Sequence, residues 1–202
     1  MNKKGFTLVE LVIAITIMTL IVGMVTRFFI VNQDGHVSEK NAMHTKQNSR
    51  IIFDIIIEDL RIAAMNPRGS NAFQIRVADT SNIVFTADID PQNINPPFGN
   101  GAYDPAREYF RYYKSGNSLR GVRFDSIGGD REFYDKVQRF RLTYYDENGT
   151  LLATPVDSTN RARIARIDVT LTLTSDRKYG KGSASVYQYG PWDASVSLRV
   201  RR

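Results

Sequence analysis

An apolar run near the N-terminal end constrains this chain more than anything downstream of it. Between Phe6 and Thr26 the only ionisable side chain is Glu10. Wound as a helix, that run rises about 31 Å, enough for a bilayer hydrocarbon core of ~30 Å. Lys3 and Lys4 precede it, separated from it by Gly5. The positive-inside tendency places that end in the cytoplasm and everything after Arg27 on the far side. A cleaved secretory signal has a shorter apolar core and a small-residue cleavage site. Here the far end reads Ile21-Val22-Gly23-Met24-Val25-Thr26-Arg27, so a retained membrane helix is the better reading.

Glu10 is the anomaly within it. A carboxylate in hydrocarbon costs about 2–3 kcal/mol even on lenient insertion scales, and usually marks a function. Thr7 and Ala14 occupy the positions near one helical turn away, so the chain offers no neighbouring cation there. Either Glu10 sits at the membrane edge and reaches water, or it pairs with a cation from another chain.

The stretch Gly5-Phe6-Thr7-Leu8-Val9-Glu10-Leu11-Val12-Ile13-Ala14, behind Lys3 and Lys4, resembles the class III signal of type IV pilins and type II secretion pseudopilins. The resemblance implies that a membrane-bound prepilin peptidase cuts between Gly5 and Phe6 and methylates the new Phe6 amine. It also implies that Glu10 meets the N-terminal amine of a neighbouring subunit during assembly, which would supply the missing cation.

The sequence has 202 residues, room for one ordinary domain beyond the membrane helix. No later apolar run approaches membrane length. There is no cysteine, which excludes a zinc-thiolate site, a cysteine nucleophile and a disulfide framework. Packing alone must hold the domain, which a body of roughly 140 residues can achieve. The net charge of +6 is uneven: residues 1–60 balance to zero, 107–141 carry +4 and 161–202 carry +6, while 142–160 is acidic. A basic C-terminal third suits DNA, anionic lipid or an acidic partner. A solvated surface is the preferred reading.

From Asn32 to Arg50 the chain is polar and free of proline, so the helix is expected to continue, with Gly35 tolerated or marking a bend. His36 and His44, the only histidines, lack metal-ligand spacing and are expected to be exposed. Phe53, Ile56, Ile57, Leu60, Ala63 and Ala64 fall on one helix face, which should pack on a sheet. Ile51, Ile55 and Ile62 make a second stripe. It either widens the core contact, the preferred reading, or meets a neighbouring subunit. Asp54, Glu58, Asp59 and Arg61 are left as a polar strip, and Asn66-Pro67-Arg68-Gly69 is expected to end the helix.

Beyond Pro67 the pattern shifts to short strands: 73–77, 82–88, 108–114, 118–125, 137–146, 151–154, 165–174, 184–189 and 195–200. Turn residues at Ser115-Gly116-Asn117 and Glu147-Asn148-Gly149 make 108–125 and 137–154 hairpins, hence antiparallel sheet. The expected fold class is α+β: a long N-terminal helix, half membrane and half amphipathic, packed on an antiparallel β-domain. The expected segments are a leader at 1–5, a membrane or filament-core helix at 6–31, its periplasmic half at 32–66 and a β-domain at 67–202.

Two loops bear on chemistry. Asp88, Asp90 and Asn93 offer oxygen ligands of the kind calcium takes, but the loop lacks the EF-hand glycine and glutamate, and Pro91 interrupts it. Ordinary turn composition is the preferred reading. Ser126-Ile127-Gly128-Gly129-Asp130 reads as a flexible link and lacks the G-K-[ST] of a phosphate loop. With no G-x-S-x-G and no histidine near a nucleophile, no catalytic constellation is present, and neither an enzymatic role nor a cofactor is expected.

The stretches 47–64, 81–88, 108–112, 142–149 and 164–171 resemble PilW-type minor pilins, and the J-type pseudopilin shares much of the plan. The missing cysteines depart from major pilins that close a C-terminal loop with a disulfide. The resemblance implies a minor pilin that starts or tips a filament. Its partners would be prepilin peptidase, other minor pilins and the major pilin, or pseudopilins, and an inner-membrane assembly platform. It would wait in the inner membrane with its domain in the periplasm, then join a pilus or pseudopilus at the cell surface. The rivals are a type II secretion pseudopilin and a DNA-binding minor pilin using Arg161, Arg163, Arg166, Arg199, Arg201 and Arg202. An anchored enzyme is a third, without supporting residues.

Overall fold

The computed structural model describes residues 7–66, 74–89, 101–105, 107–123, 129–179 and 183–198. A helix, α1 (Leu8–Arg61), is followed by β1 (Ile75–Ala78), β2 (Asn82–Thr86), β3 (Tyr109–Ser115), β4 (Ser118–Arg123), β5 (Arg131–Tyr134), β6 (Val137–Tyr145) and β7 (Leu151–Leu152). A short turn of helix, α2 (Ser158–Arg161), then leads to β8 (Arg166–Tyr179) and β9 (Ser183–Ser197). The architecture is therefore α+β, a long N-terminal helix with antiparallel sheets, as the residue pattern predicts. Packing divides the chain into two units: Met1–His44 with Asp176–Val186, and Thr45–Ser175 with Tyr187–Arg202.

The first unit contains the apolar stretch Leu8–Gln33, whose 26 residues have a mean hydropathy of 2.6 in their most apolar window. None of that window is buried within the protein. Thr16, Thr19 and Thr26 would each bring a hydroxyl into hydrocarbon. Each instead donates to a carbonyl one turn back, on Val12, Ile15 and Val22, at 2.8 Å. Backbone and hydroxyl groups are thus satisfied inside the helix, as a lipid environment requires.

The second unit is built from two sheets and the last turns of α1. One sheet runs β1-β2-β3-β4-β5 and the other β7-β6-β8-β9. The β1–β2, β2–β3, β3–β4 and β4–β5 pairings are antiparallel, as are β6–β7 and β6–β8. Both predicted hairpins form, with Gly116 and Gly149 in the left-handed region their turns require. Alternation sends Ile83, Phe85, Phe110, Tyr112 and Leu119 from one sheet, and Phe140, Leu142, Tyr144, Ile167, Val169, Leu171 and Leu173 from the other, into one core. Phe53, Ile56, Ile57, Leu60 and Ala63 of α1 join it, as their spacing predicts. Phe85 and Phe110, direct cross-strand partners, stack with ring centroids 4.9 Å apart.

Several details differ from the residue pattern. The helix ends at Arg61, before the expected stop at 66–69, and residues 67–69 lie outside the described residues. Ala64 takes a φ of 57° and its N–H donates to the Thr86 carbonyl at 3.1 Å, which turns the chain onto β2 without a glycine. In the second stripe, Ile62 packs on the core, Ile55 is half-buried and Ile51 is exposed. Strand β5 went unmarked in the sequence, and 184–189 and 195–200 are parts of the one strand β9. Gly190-Pro191 lies inside β9, where the pattern reads as an interruption. An edge strand tolerates proline, because an outward N–H has no ladder partner to lose.

Asp59 departs furthest from expectation. Placed on the polar strip by spacing, it is only 2% exposed. Arg123 of β4 grips its carboxylate with two parallel bonds, Nε to Oδ2 at 2.8 Å and Nη2 to Oδ1 at 2.9 Å, and the Tyr112 hydroxyl donates to Oδ2. Such a fork is the strong geometry for an arginine–carboxylate pair. Burial, then the Asp59 charge, pushes the Tyr112 phenol far up, and the hydrogen bond to Asp59 raises Arg123. The triad fixes α1 on its sheet where apolar contact alone would allow sliding.

Candidate functional site

The first turn of α1 carries the local chemistry. Every helix begins with backbone N–H groups that have no partner within it. Thr7 stands at that cap, its carbonyl accepting from the Leu11 N–H at 3.2 Å. Its Oγ1 accepts from the Glu10 N–H at 3.3 Å. In return Glu10 Oε2 accepts from the Thr7 N–H and the Thr7 hydroxyl, each at 2.9 Å. This reciprocal exchange is a capping box, which helix entries use to satisfy donors at both ends of the first turn. The carboxylate also sits at the positive end of the helix dipole.

Thr7 supplies no cation, but it gives the Glu10 carboxylate two donors. The signal was legible, since Thr7-Leu8-Val9-Glu10 followed by an apolar run is the T-x-x-E signature of a capping box. Gly5 and Phe6 lie outside the described residues.

His36 and His44 are exposed on α1. Asp88 is buried just beyond β2, while Asp90 and Asn93 lie outside the described residues. Among the described residues no group of three or more His, Asp or Glu converges on a metal position. Arg163 donates to Asp146 at 2.9 Å, and Arg166 lies 3.2 Å from Asp168 and over the Tyr145 ring. Arg161 is half-buried, and Arg199, Arg201 and Arg202 lie outside the described residues. A cavity of about 350 Å³ opens between the end of α1 and β9, but its lining of Arg61, Ile62, Ala63, Met65, Ser195, Val196 and Ser197 has no acid or histidine.

Residues 1–26 match the family described as the prokaryotic N-terminal methylation motif. The chain therefore carries a prepilin-type N-terminal cleavage and methylation motif. No curated protein matches it. The motif implies processing by prepilin peptidase, and the exposed apolar helix is what an inner-membrane-anchored prepilin presents. The match ends inside the apolar helix, so it speaks to how the protein is processed and anchored.

Proposed function

We propose that this protein is a minor pilin, a structural subunit that helps start or tip a type IV pilus. Prepilin peptidase cuts between Gly5 and Phe6 and the new Phe6 amine is methylated. The observation that carries this reading is the methylation motif joined to an apolar helix with none of its core window buried in its own chain. Such a helix needs lipid before assembly and other helices after it. Two donors hold Glu10 Oε2 at the first turn, and a carboxylate has about four lone-pair sites. Acceptor capacity therefore remains for the ammonium of a neighbouring subunit. Neighbours in this reading are other minor pilins and the major pilin, brought together on an inner-membrane platform, with the β-domain in the periplasm and then at the cell surface. Arg163 pairs with Asp146 and Arg166 lies against Asp168, so a phosphate would compete with a carboxylate for each of those two side chains.

Intact mass of the membrane-extracted protein, with and without prepilin peptidase, tests the reading. Loss of Met1 to Gly5 plus one methyl group is expected only with the peptidase. An uncut chain in its presence would refute the assignment. In the same host, Glu10→Ala is expected to be cut normally yet to be missing from sheared filaments; normal incorporation would remove the pairing role of Glu10.

A further inference from the structure

Where β2 leaves its sheet and β3 enters it, two carboxylates are folded away from water. Asp88 is 0% exposed and Glu108 1%. Backbone bonds bring them to the same end of the sheet. The Ala87 N–H donates to the Glu108 carbonyl at 3.2 Å, and the Asp88 N–H to the Met65 carbonyl at 2.9 Å. Backbone amides orient the side chains: Gly101 N–H donates to Asp88 Oδ2 at 3.0 Å, and Asp104 N–H to Glu108 Oε2 at 2.7 Å.

The other oxygen of Glu108 is the anomaly. Oε1 is buried with no hydrogen-bond partner. Burial raises the Glu108 carboxyl, and the nearby Asp88 charge raises it further, against the lowering effect of the Asp104 and Ile89 amides. The adjacent arginine gives no relief, since Arg107 faces Asp104, with its Nε 3.9 Å from Oδ2. A buried acceptor without a donor is costly, and more so when charged.

We infer that Asp88 and Glu108 hold a divalent cation of the calcium class, with Glu108 Oε1 as a ligand and Asp88 as the second carboxylate. The donor set selects the metal. Only oxygen is present: the chain has no cysteine, and both histidines lie on α1, so soft or imidazole-seeking ions have nothing to prefer here. Calcium accepts irregular oxygen shells filled out by carbonyls and water, whereas magnesium demands strict octahedral geometry and keeps its waters. Two carboxylates match the charge of one such ion. With no third acid converging among the described residues, the affinity belongs with weak extracellular modules, about 10⁻⁴–10⁻³ M. This site does not depend on the assembly role proposed for the protein.

The test is calcium titration of the full chain in detergent micelles after chelator treatment. Calorimetry is expected to find one site per chain in the wild type. Calcium at about 5 mM should raise Tm by about 4 °C, with magnesium or matched sodium chloride giving far less. Glu108→Gln keeps the shape but removes the charge, so it should lose the calcium response while remaining at least as stable as the wild type in chelator. Asp88→Asn should lose the response as well. Absence of calorimetric binding by the wild type, or an equal calcium shift in wild type and Glu108→Gln, would overturn the site. So would stabilisation of the wild type by acid alone, which would assign the buried pair a shared proton.

Discussion

At the scale of single residues, the sequence exposed chemistry but not its partners. Asp59 shows the limit most clearly. Helical spacing put it beside Glu58 on a solvent strip, and nothing within α1 signals that Arg123, 64 positions on, reaches back to it. Only the sheet register, which sets Tyr112 opposite Gly121 and Phe110 opposite Arg123, brings those side chains under the helix. Removing the arginine leaves a buried carboxylate without its counter-charge. Arg123→Met is therefore expected to lower stability by about 3 kcal/mol, toward the low end for a broken buried pair because the guanidinium is a third exposed. Tyr112→Phe removes one bond and should cost about 1–2 kcal/mol. Urea unfolding followed by tryptophan fluorescence measures both; equal and negligible losses would show that apolar packing alone seats the helix. Thr7 and Glu10 are the opposite case. Their interaction is local and three residues apart, and the sequence held it in plain view.

Elements were legible wherever hydrophobic period and turn chemistry agreed. The apolar face of α1, the two hairpins and the alternation of β8 follow from residues close together in the chain. Strand β5 failed that test: Arg131-Glu132-Phe133-Tyr134 has no alternation over so short a length, and it is a strand because β4 offers its edge. Gly121 shows why that edge lies so close. A Cβ at Gly121 would stand 2.0 Å from the Arg111 carbonyl oxygen and 3.2 Å from the Phe133 ring. The first is a backbone atom and cannot swing aside. Gly121→Ala is expected to cost about 3 kcal/mol, the upper range for overpacking, and to loosen β3 from β4. Hydrogen exchange should show faster exchange on those strands than on β6 and β8; uniform protection would mean that the sheet accommodates the methyl.

For the molecule as a whole, the apolar helix decides where the protein can exist. Its large side chains, among them Ile17 at 52% exposure and Leu20 at 60%, have no partners in the chain's own core. In water that surface would drive aggregation; in a bilayer it anchors the protein without help from the folded β unit. The two functions of the sequence are therefore separable, and that separability can be measured. Replacing both Ile17 and Leu20 by lysine moves each position by about 3–4 kcal/mol on insertion scales, enough to undo the preference of a single span. Because neither side chain belongs to the core, the β unit should fold as before. The wild type is expected to resist extraction by alkaline carbonate and to dissolve only in detergent, while the double variant leaves the membrane fraction with its β unit still protease-resistant. If the variant stayed in the membrane like the wild type, this helix would not be the anchor. If it left the membrane but its β unit became protease-sensitive, the helix would be needed for folding as well as for anchoring.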